Sequence, residues 1–461
     1  MTRHAPSRRV FPASGGWRRR VAAVAGSFTA RRGITLGGFA SVMFGAIAAH
    51  AQTSTNVLLE PAYDPVYNRD RNVSVAERPH PDFDAVGVRL GSFILDPSVG
   101  FSSGFSDNVF LDNTNRKSDV YARIEPYLSL ASDWSNHRIA LTAASDLRRY
   151  AHQTLRNQNA WYIYSQGRLD VTSDLTAQFD GQLDRTYETP YTEDVVANLT
   201  APSTYLRKSA ALKATYQPGR SRLIGTFDVN SYLFNTLRFA NGTARDQRYR
   251  DRVIYRAAGI YEFALSPSVS FYGQARYDLT NYSAPFAVGI ANRDSSAFTI
   301  IAGSNFDLAG LARGSLGIGY SRRSYKAASL YPVAQGLSAQ ARLEFFPTEL
   351  TTVIVTLQRQ LQDASLGGRG AYWDNRFTLG VDHELLVNLI LSASADLARR
   401  TYSDPVGTTS VYQFRLGGRY QATRSLGLNA ALTYGRSRPD GAGLGNPFNE
   451  LGATIGIRIR R

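Results

Sequence analysis

The sequence of 461 residues contains no cysteine and only two methionines. Without cysteine, disulfide bonds and thiolate-bound metal ions are excluded. There is also no uninterrupted apolar run of about 18 residues, the length that marks a helix able to cross a membrane. The mean hydropathy is −0.26. The sequence therefore predicts neither a disulfide-stapled domain nor a helical membrane protein.

Signals of enzymatic chemistry are also scarce. No G-x-S-x-G, Walker or dinucleotide-binding motif occurs with its strand–helix context. Beyond residue 51 there are four histidines, His80, His137, His152 and His383, and none is spaced with another as metal ligands are. A Ser–His hydrolase needs both groups on adjacent strands, but these histidines fall in or near predicted loops and turns. We therefore expect no enzyme, no cofactor and no metal site.

The chain is rich in tyrosine and phenylalanine, with 26 and 23 residues, which favours strands over helices. From about residue 91 apolar and polar residues alternate in runs of about 10 to 14, as in strands with one wet and one apolar face. The clearest apolar series, each alternating with polar or small residues, are Val353, Val355, Leu357; Leu391, Ala393, Ala395, Leu397; and Leu451, Ala453, Ile455, Ile457, Ile459.

Short turn signals alternate with longer polar loops along this part of the chain. The short ones lie near 135–136, 172–174, 217–220, 266–267, 308–311, 347–348, 386–388 and 423–425. The longer ones lie near 106–117, 151–157, 187–203, 235–247, 284–294, 327–335, 364–370, 404–408 and 438–447. This predicts an all-β fold, a transmembrane up-and-down antiparallel β-barrel of about 18 strands, with 16 as the alternative count. A soluble sandwich is the main alternative fold.

The first 51 residues predict a secretory signal peptide. They carry eight of the 52 basic residues and none of the 37 acidic ones, so the remaining chain has a formal net charge of +7 rather than +15. A weakly apolar stretch from Gly33 to Ala48 leads to Ala49-His50-Ala51, a small-x-small cleavage site before Gln52. Arg31-Arg32 resembles a twin-arginine signal, but a membrane barrel must cross unfolded, which favours the general secretory route. Nucleic acid is not an expected partner.

Residues 52–90 differ again, with Pro61, Pro65, Pro79 and Pro81 among polar residues and little periodicity. We interpret this stretch as a Pro-rich periplasmic lead-in to the barrel of residues 91–461. A plain tether is the favoured role; a plug for the pore and a docking segment for a partner are the alternatives.

Several short stretches resemble one family, the putative β-barrel porin type 2 family. They are Val88–Ser98, Phe105–Phe110, Ser118–Val120, Pro126–Leu128, Ser132–His137 and a strand ending at Tyr150. Members of this family often accompany exopolysaccharide export genes. The resemblance implies a porin in the outer membrane of a Gram-negative cell that takes part in exopolysaccharide export. A general or solute-specific diffusion porin and a structural or adhesive barrel are the alternatives. The expected partners are outer-membrane lipid, the barrel assembly machinery and a periplasmic polysaccharide export protein.

Candidate pore-lining residues follow from the polar phase of the strands. Two sets could exchange hydrogen bonds with passing sugars: Gln178, Asp180, Gln182, Asp184; and Thr352, Thr356, Gln358, Gln360. A basic set favours anions and so an acidic polymer: Arg248, Arg250, Arg252, Arg256. The alternative is that these charges are solvated or paired with acids such as Asp278.

The aromatic residues divide into two predicted groups. Interface anchors on the lipid side are Trp161, Tyr255, Tyr261, Phe263, Tyr412, Phe414 and Tyr420. Tyrosines of the opposite phase, which could stack on sugar rings, are Tyr162, Tyr164, Tyr232, Tyr272 and Tyr372.

We expect N-terminal sequencing of protein isolated from membranes to start at or near Gln52, because the small-x-small site ends at Ala51. Recovery of residues 1–30 in that protein would refute the secretion argument.

Overall fold

The computed structural model describes residues 73–114, 116–191, 199–239, 241–308, 310–364 and 368–461. The predicted signal peptide and residues 52–72 lie outside the described residues. The described helices are two three-residue 3-10 turns, Thr154–Arg156 and Arg248–Arg250. None of the helices in these ranges is long and apolar enough to cross a membrane.

Long strands make up most of the described chain, and we number them β1 to β18. Their bounds are β1 Phe93–Ser106, β2 Asp119–Ser132, β3 Arg138–Tyr150, β4 Gln158–Asp170, β5 Leu175–Tyr187, β6 Thr204–Tyr216, β7 Ser221–Phe234, β8 Arg252–Ser266, β9 Val269–Tyr282, β10 Ser295–Leu308, β11 Ala312–Tyr325, β12 Ala334–Thr348, β13 Thr351–Asp363, β14 Ala371–Leu386, β15 Leu389–Ser403, β16 Val406–Gln421, β17 Leu426–Asp440 and β18 Phe448–Arg460.

The strands form a closed antiparallel barrel. Each pairs with its neighbours in the chain, and β1 also pairs with β18, for example Phe101 with Ile457. Closure gives each of these eighteen described strands two neighbours, so the wall that they form has no first or last strand. The prediction of an 18-stranded up-and-down barrel is confirmed. A short segment, Val88–Leu90, folds back on β1 through a turn at Gly91, whose φ is +61°.

Connections differ between the two ends of the barrel. At one end, the short-turn end, β8–β9, β12–β13 and β14–β15 are joined by only 267–268, 349–350 and 387–388. The other, long-loop end carries 107–118, 188–203, 235–251, 283–294 and five shorter connections. One of these corrects the sequence analysis: the predicted loop 404–408 is wrong, because Val406 already belongs to β16 and only 404–405 connect the strands. β1 starts and β18 ends at the short-turn end.

The two faces of each strand differ sharply in polarity. On β13, Leu357 is 49% exposed on the outer face, whereas Thr352 on the inner face is buried. Because side chains alternate with a period of two, the apolar series found in the sequence all point outwards and their polar neighbours point inwards. The barrel therefore has an apolar outer face and a polar inner face, the inverse of a soluble domain.

Candidate functional site

The polar residues predicted on β5 lie on the inner face. Gln178, Asp180 and Gln182 are partly exposed there, and Asp180 accepts a hydrogen bond from the Tyr164 hydroxyl on β4. Asp184 is buried and paired with Arg207 of β6 at 2.7 Å. Three of the four residues are thus exposed to the lumen, while Asp184 is already neutralised.

Gln358 and Gln360 of β13 lie on the inner face of the opposite wall and are partly exposed. Their partners across the ladder are Arg376 and Asp374 of β14. Arg376 forms an ion pair with Asp396 at 2.7 Å. This part of the wall offers amide donors and acceptors against a charge-balanced background.

The predicted basic row is divided by the structure. Arg252 and Arg256 lie on the inner face of β8. The carboxylates of Asp228 and Asp278 flank Arg256 at 3.5 and 3.3 Å. Arg276 also contacts Asp278, at 2.7 Å. Arg256 therefore belongs to a neutral cross-strand network, the pairing that was the alternative interpretation.

Arg248 and Arg250 lie outside the strands, in the 3-10 turn before β8. Arg248 is exposed and pairs with Asp246 at 2.6 Å. Arg250 is fully buried, and its Nη1 donates to Glu188 of a different loop at 3.0 Å. In the sequence, these four arginines form one group because all have even numbers. That alternation places side chains on one face only within a strand, and β8 begins at Arg252.

A different set of arginines lines the inner face of β16 and β18. Arg415 and Arg419 lie on β16, and Arg458 and Arg460 lie on β18. The charges acting on Arg419 come from Arg458 and Arg460 and, in the opposite sense, from Asp382 and Asp84, and Arg123 of β2 acts on Arg415. We call Arg415, Arg419, Arg458 and Arg460 the basic wall.

The strand between them carries only small or neutral inner residues, among them Asn429, Ala431 and Thr433. The sequence held a signal for the basic wall. Arg458 and Arg460 alternate with isoleucines, and Arg415 has the opposite phase to Phe414. The four residues are split between two strands, so no local cluster marks them.

The five predicted inner tyrosines all lie on the inner face, but they differ in exposure. Tyr232, Tyr272 and Tyr372 are buried, whereas Tyr162 and Tyr164 are only partly buried. The ring of Tyr272 covers Gly303 and Gly317, where any Cβ would overlap it. Tyr272 therefore thickens the wall, and Tyr162 and Tyr164 are the tyrosines of this group that a solute in the lumen can reach.

The aromatic residues predicted on the lipid side lie on the outer phase of their strands. Those with large exposed fractions are Tyr255, Tyr261, Phe263, Phe414 and Tyr420.

At the long-loop end, the loops contact one another around the whole mouth. Arg156 stacks on Phe110 at 5.3 Å and donates to the carbonyl of Leu199 at 3.5 Å. Leu199 bridges to Phe239. The bond from Arg250 to Glu188 joins the same two loops a second time.

The remaining links close the circle. The Tyr249 and Phe286 rings meet at 5.1 Å. Arg293 donates to the carbonyl of Ala364 at 2.8 Å, and Arg369 donates to that of Ala442 at 2.6 Å. Asn446 then donates to Asp112 at 3.1 Å, which returns to the first loop. We call this circuit the loop ring; buried arginines supply three of its links.

Tyr191 carries one loop inwards. It follows β5 by four residues, yet its hydroxyl donates to Glu450 of β18 at 2.9 Å and its carbonyl accepts from Arg400 of β15 at 2.8 Å. Measured along the barrel wall, β5 and β18 are five strand spacings apart, about 24 Å. Four residues in extended conformation span at most about 14 Å, which is too short to follow the wall. The loop therefore leaves the wall and crosses the mouth. Burial and Glu450 raise the pKa of Tyr191, which keeps its hydroxyl a donor.

At the short-turn end, the described part of the lead-in lies against the inner wall. Val75 is fully buried, and its N–H donates to Thr352 at 2.9 Å. Arg78 pairs with Glu384 of β14 at 2.9 Å. Arg460 of the basic wall donates to the carbonyl of Phe83 at 2.6 Å. Residues 73–84 thus occupy the mouth at this end rather than trailing from it.

A family model described as Putative beta-barrel porin 2 matches residues 80–461. The chain belongs to this family. It is a porin-like barrel, and within its described residues no group of three or more His, Cys, Asp or Glu side chains is placed to hold a metal ion.

The solved structures that are similar to this chain include the following three. OpdL of Pseudomonas aeruginosa shares 13% identity, with a TM-score of 0.42, over 80% of this chain and 99% of that one. The FrpB iron transporter of Neisseria meningitidis shares 11%, with a TM-score of 0.42, over 75% and 62%. The copper transporter OprC shares 13%, with a TM-score of 0.45, over 81% of both chains. No curated protein matches the chain.

We expect Arg250→Ala to loosen the loop ring of this porin, because it removes the buried guanidinium that pairs with the Glu188 carboxylate, at a cost of about 3–5 kcal/mol. Limited proteolysis should cut the loops at 188–203 and 235–251 faster, and single-channel conductance should rise. Arg248→Ala, two residues away and exposed, is the matched control and should behave as the unaltered protein. Equal behaviour of the two variants would contradict the structural role of Arg250.

Proposed function

We propose that this porin lies in the outer membrane of a Gram-negative cell and conducts an acidic polysaccharide outwards, as one component of exopolysaccharide export. The apolar outer face supports the membrane location. Porins place long loops outside the cell and short turns in the periplasm. The loop ring then faces the exterior, and residues 73–84 lie in the periplasmic mouth.

The observation that carries the proposal is that one side of the lumen presents aromatic and hydrogen-bonding side chains, whereas another side presents arginines. Tyr162 and Tyr164 lie beside Gln178, Asp180 and Gln182, so aromatic faces and hydrogen-bonding groups occur together on β4 and β5. Sugar rings are recognised by this combination of stacking and polar contacts. Because these side chains are partly exposed, a moving polysaccharide can exchange its hydrogen bonds from one side chain to the next without being held at any of them.

The basic wall supports an anionic cargo. Its four arginines lie on β16 and β18, where the strand between them carries no inner charge. A group of arginines on one side of a confined polar channel attracts anions. Carboxylate-bearing or otherwise acidic polymers therefore fit better than neutral ones.

Both mouths are partly filled, which supports a conduit that opens on demand. The loop ring and Tyr191 narrow the outer mouth, and residues 73–84 lie in the inner one. A periplasmic export partner that binds the lead-in would draw these residues from the mouth and feed the polymer in. The barrel assembly machinery and membrane lipid are the other partners of the proposal.

A general or solute-specific diffusion porin is the second candidate function, because the same basic wall would attract small anions. A structural or adhesive role is the third. Deletion of the gene separates them. Reduced surface polysaccharide with nearly unchanged uptake of small solutes supports export. Normal polysaccharide with lost uptake of a small nutrient supports a diffusion porin, and loss of adhesion alone supports the third role.

We expect the double substitution Arg415→Gln and Arg458→Gln to lower the anion-over-cation permeability ratio several-fold in planar bilayers, since it halves the charge of the basic wall. The same variant should reduce export of an acidic polymer in the deletion strain. Arg322→Gln, on the outer face of β11, is the control and should leave selectivity unchanged. Unaltered selectivity in the double variant would remove the basis for an acidic cargo.

A further inference from the structure

Basic residues also occur on the outer face of the barrel, and they lie at one level only. All are within five residues of the long-loop end of their strand, and they are Arg149, Arg185, Lys208, Arg322, Arg359, Arg399, Arg436 and Arg438. Within the described strands, the carboxylates at outer-phase positions are the terminal residues Asp363 and Asp440. That of Asp363 accepts hydrogen bonds from the hydroxyls of Tyr282 and Tyr325 on the inner face. We call these eight residues the outer basic belt.

The outer basic belt differs from the lumen in how its charges are partnered. None of its eight residues forms an ion pair within the described part of the chain, whereas Arg123, Arg207 and Arg376 inside the lumen each do. An unpaired cation on a lipid-facing wall is unfavourable near the bilayer centre and becomes tolerable near the interface. A belt confined to that level is therefore complementary to anionic lipid headgroups.

One part of the belt is a row across β13, β14 and β15. Arg359 pairs in register with Asn375, and Asn375 with Arg399. The Arg359 guanidinium lies 4.4 Å from the centre of the Trp373 ring. It donates to Asn375 Oδ1 at 2.6 Å and to the carbonyl of Leu337 at 3.0 Å. These contacts hold the guanidinium in place without neutralising it.

This row borders a broad concavity of about 1130 Å³ in the outer wall. Its floor is apolar and includes Phe271, Ile318, Leu357, Phe377 and Leu397. Arg359 and Arg399 stand at its edge nearest the long-loop end. The basic edge could bind an anionic lipid headgroup, and the apolar concavity beside it could hold several acyl chains of the same lipid.

We propose that Arg359 and Arg399 bind the phosphate groups of a phosphorylated outer-leaflet lipid, with its acyl chains in the adjoining concavity. Guanidinium groups bind phosphate oxygens through paired, charge-assisted hydrogen bonds. The ring of Trp373 keeps Arg359 flat against the wall, and Asn375 sets the spacing between the two arginines. The site depends on the proposed membrane orientation but not on what the lumen carries.

The test uses the refolded full-length mature protein and a bisphosphorylated acylated glucosamine disaccharide as the probe, followed by native mass spectrometry. We expect Arg359→Gln with Arg399→Gln to reduce lipid retention by about tenfold or more, because charge-assisted hydrogen bonds are lost. Arg248→Gln, an exposed loop arginine, should retain the lipid as the unaltered protein does. Removing both phosphates from the probe should weaken its binding to the unaltered protein equally.

Two further readouts make the outcomes decisive. Heat-modifiable gel migration reports whether the double variant is folded. Equal retention by a folded double variant would overturn the lipid site, as would a change in oligomeric state without a change in retention, which would assign the surface to a second copy of the chain. Anion selectivity should be unaltered in this variant because both side chains face away from the lumen, so failure here leaves the proposed function untouched.

Discussion

The structure depends on one constraint: every backbone N–H and C=O of the wall must be paired within the wall, because lipid offers no partner. The ladder between β1 and β18 satisfies it by removing the last two edges. Closure then fixes the rest. Side chains must alternate between an apolar outside and a polar inside, and the connections must alternate between the two ends. The polar groups that a soluble protein would turn to water are gathered around one lumen.

Because many charged side chains share a narrow lumen, most of the repulsion between like charges must be relieved by ion pairs. Several inner arginines pair with a carboxylate on a neighbouring strand, as Arg123 pairs with Asp146 at 2.7 Å and Arg313 with Glu344 at 2.6 Å. Such pairs satisfy buried groups and leave no net field. Basic residues also form the basic wall and the outer basic belt. The basic wall places arginines on one side of the lumen. The outer basic belt places basic residues on the lipid-facing surface near the long-loop end. The same residue type thus has three roles, set by the phase and height of its position.

The fold could be predicted from sequence because it rests on local patterns: Val353, Val355 and Leu357 define a strand without knowledge of any other strand. The charges could not be assigned in the same way. Whether Arg256 is free or neutral depends on Asp228 and Asp278, which come from strands on either side. Arg250 shares its phase with Arg256 but lies before the strand begins. The loop ring and the packing of residues 73–84 join segments up to several hundred positions apart, such as Val75 and Thr352, and nothing local in the sequence indicates them.

The most direct test of this account is a cysteine scan along β13, which is free of background because the chain contains no cysteine. Single cysteines would replace Thr356, Gln358 and Gln360 on the inner face and Val353, Val355 and Leu357 on the outer face, in protein reconstituted into bilayers. A water-soluble, membrane-impermeant maleimide should label the first three and spare the last three, whose neighbours are lipid chains. Labelling of both sets at similar rates, or with a period near that of a helix, would contradict a closed barrel with a wet lumen.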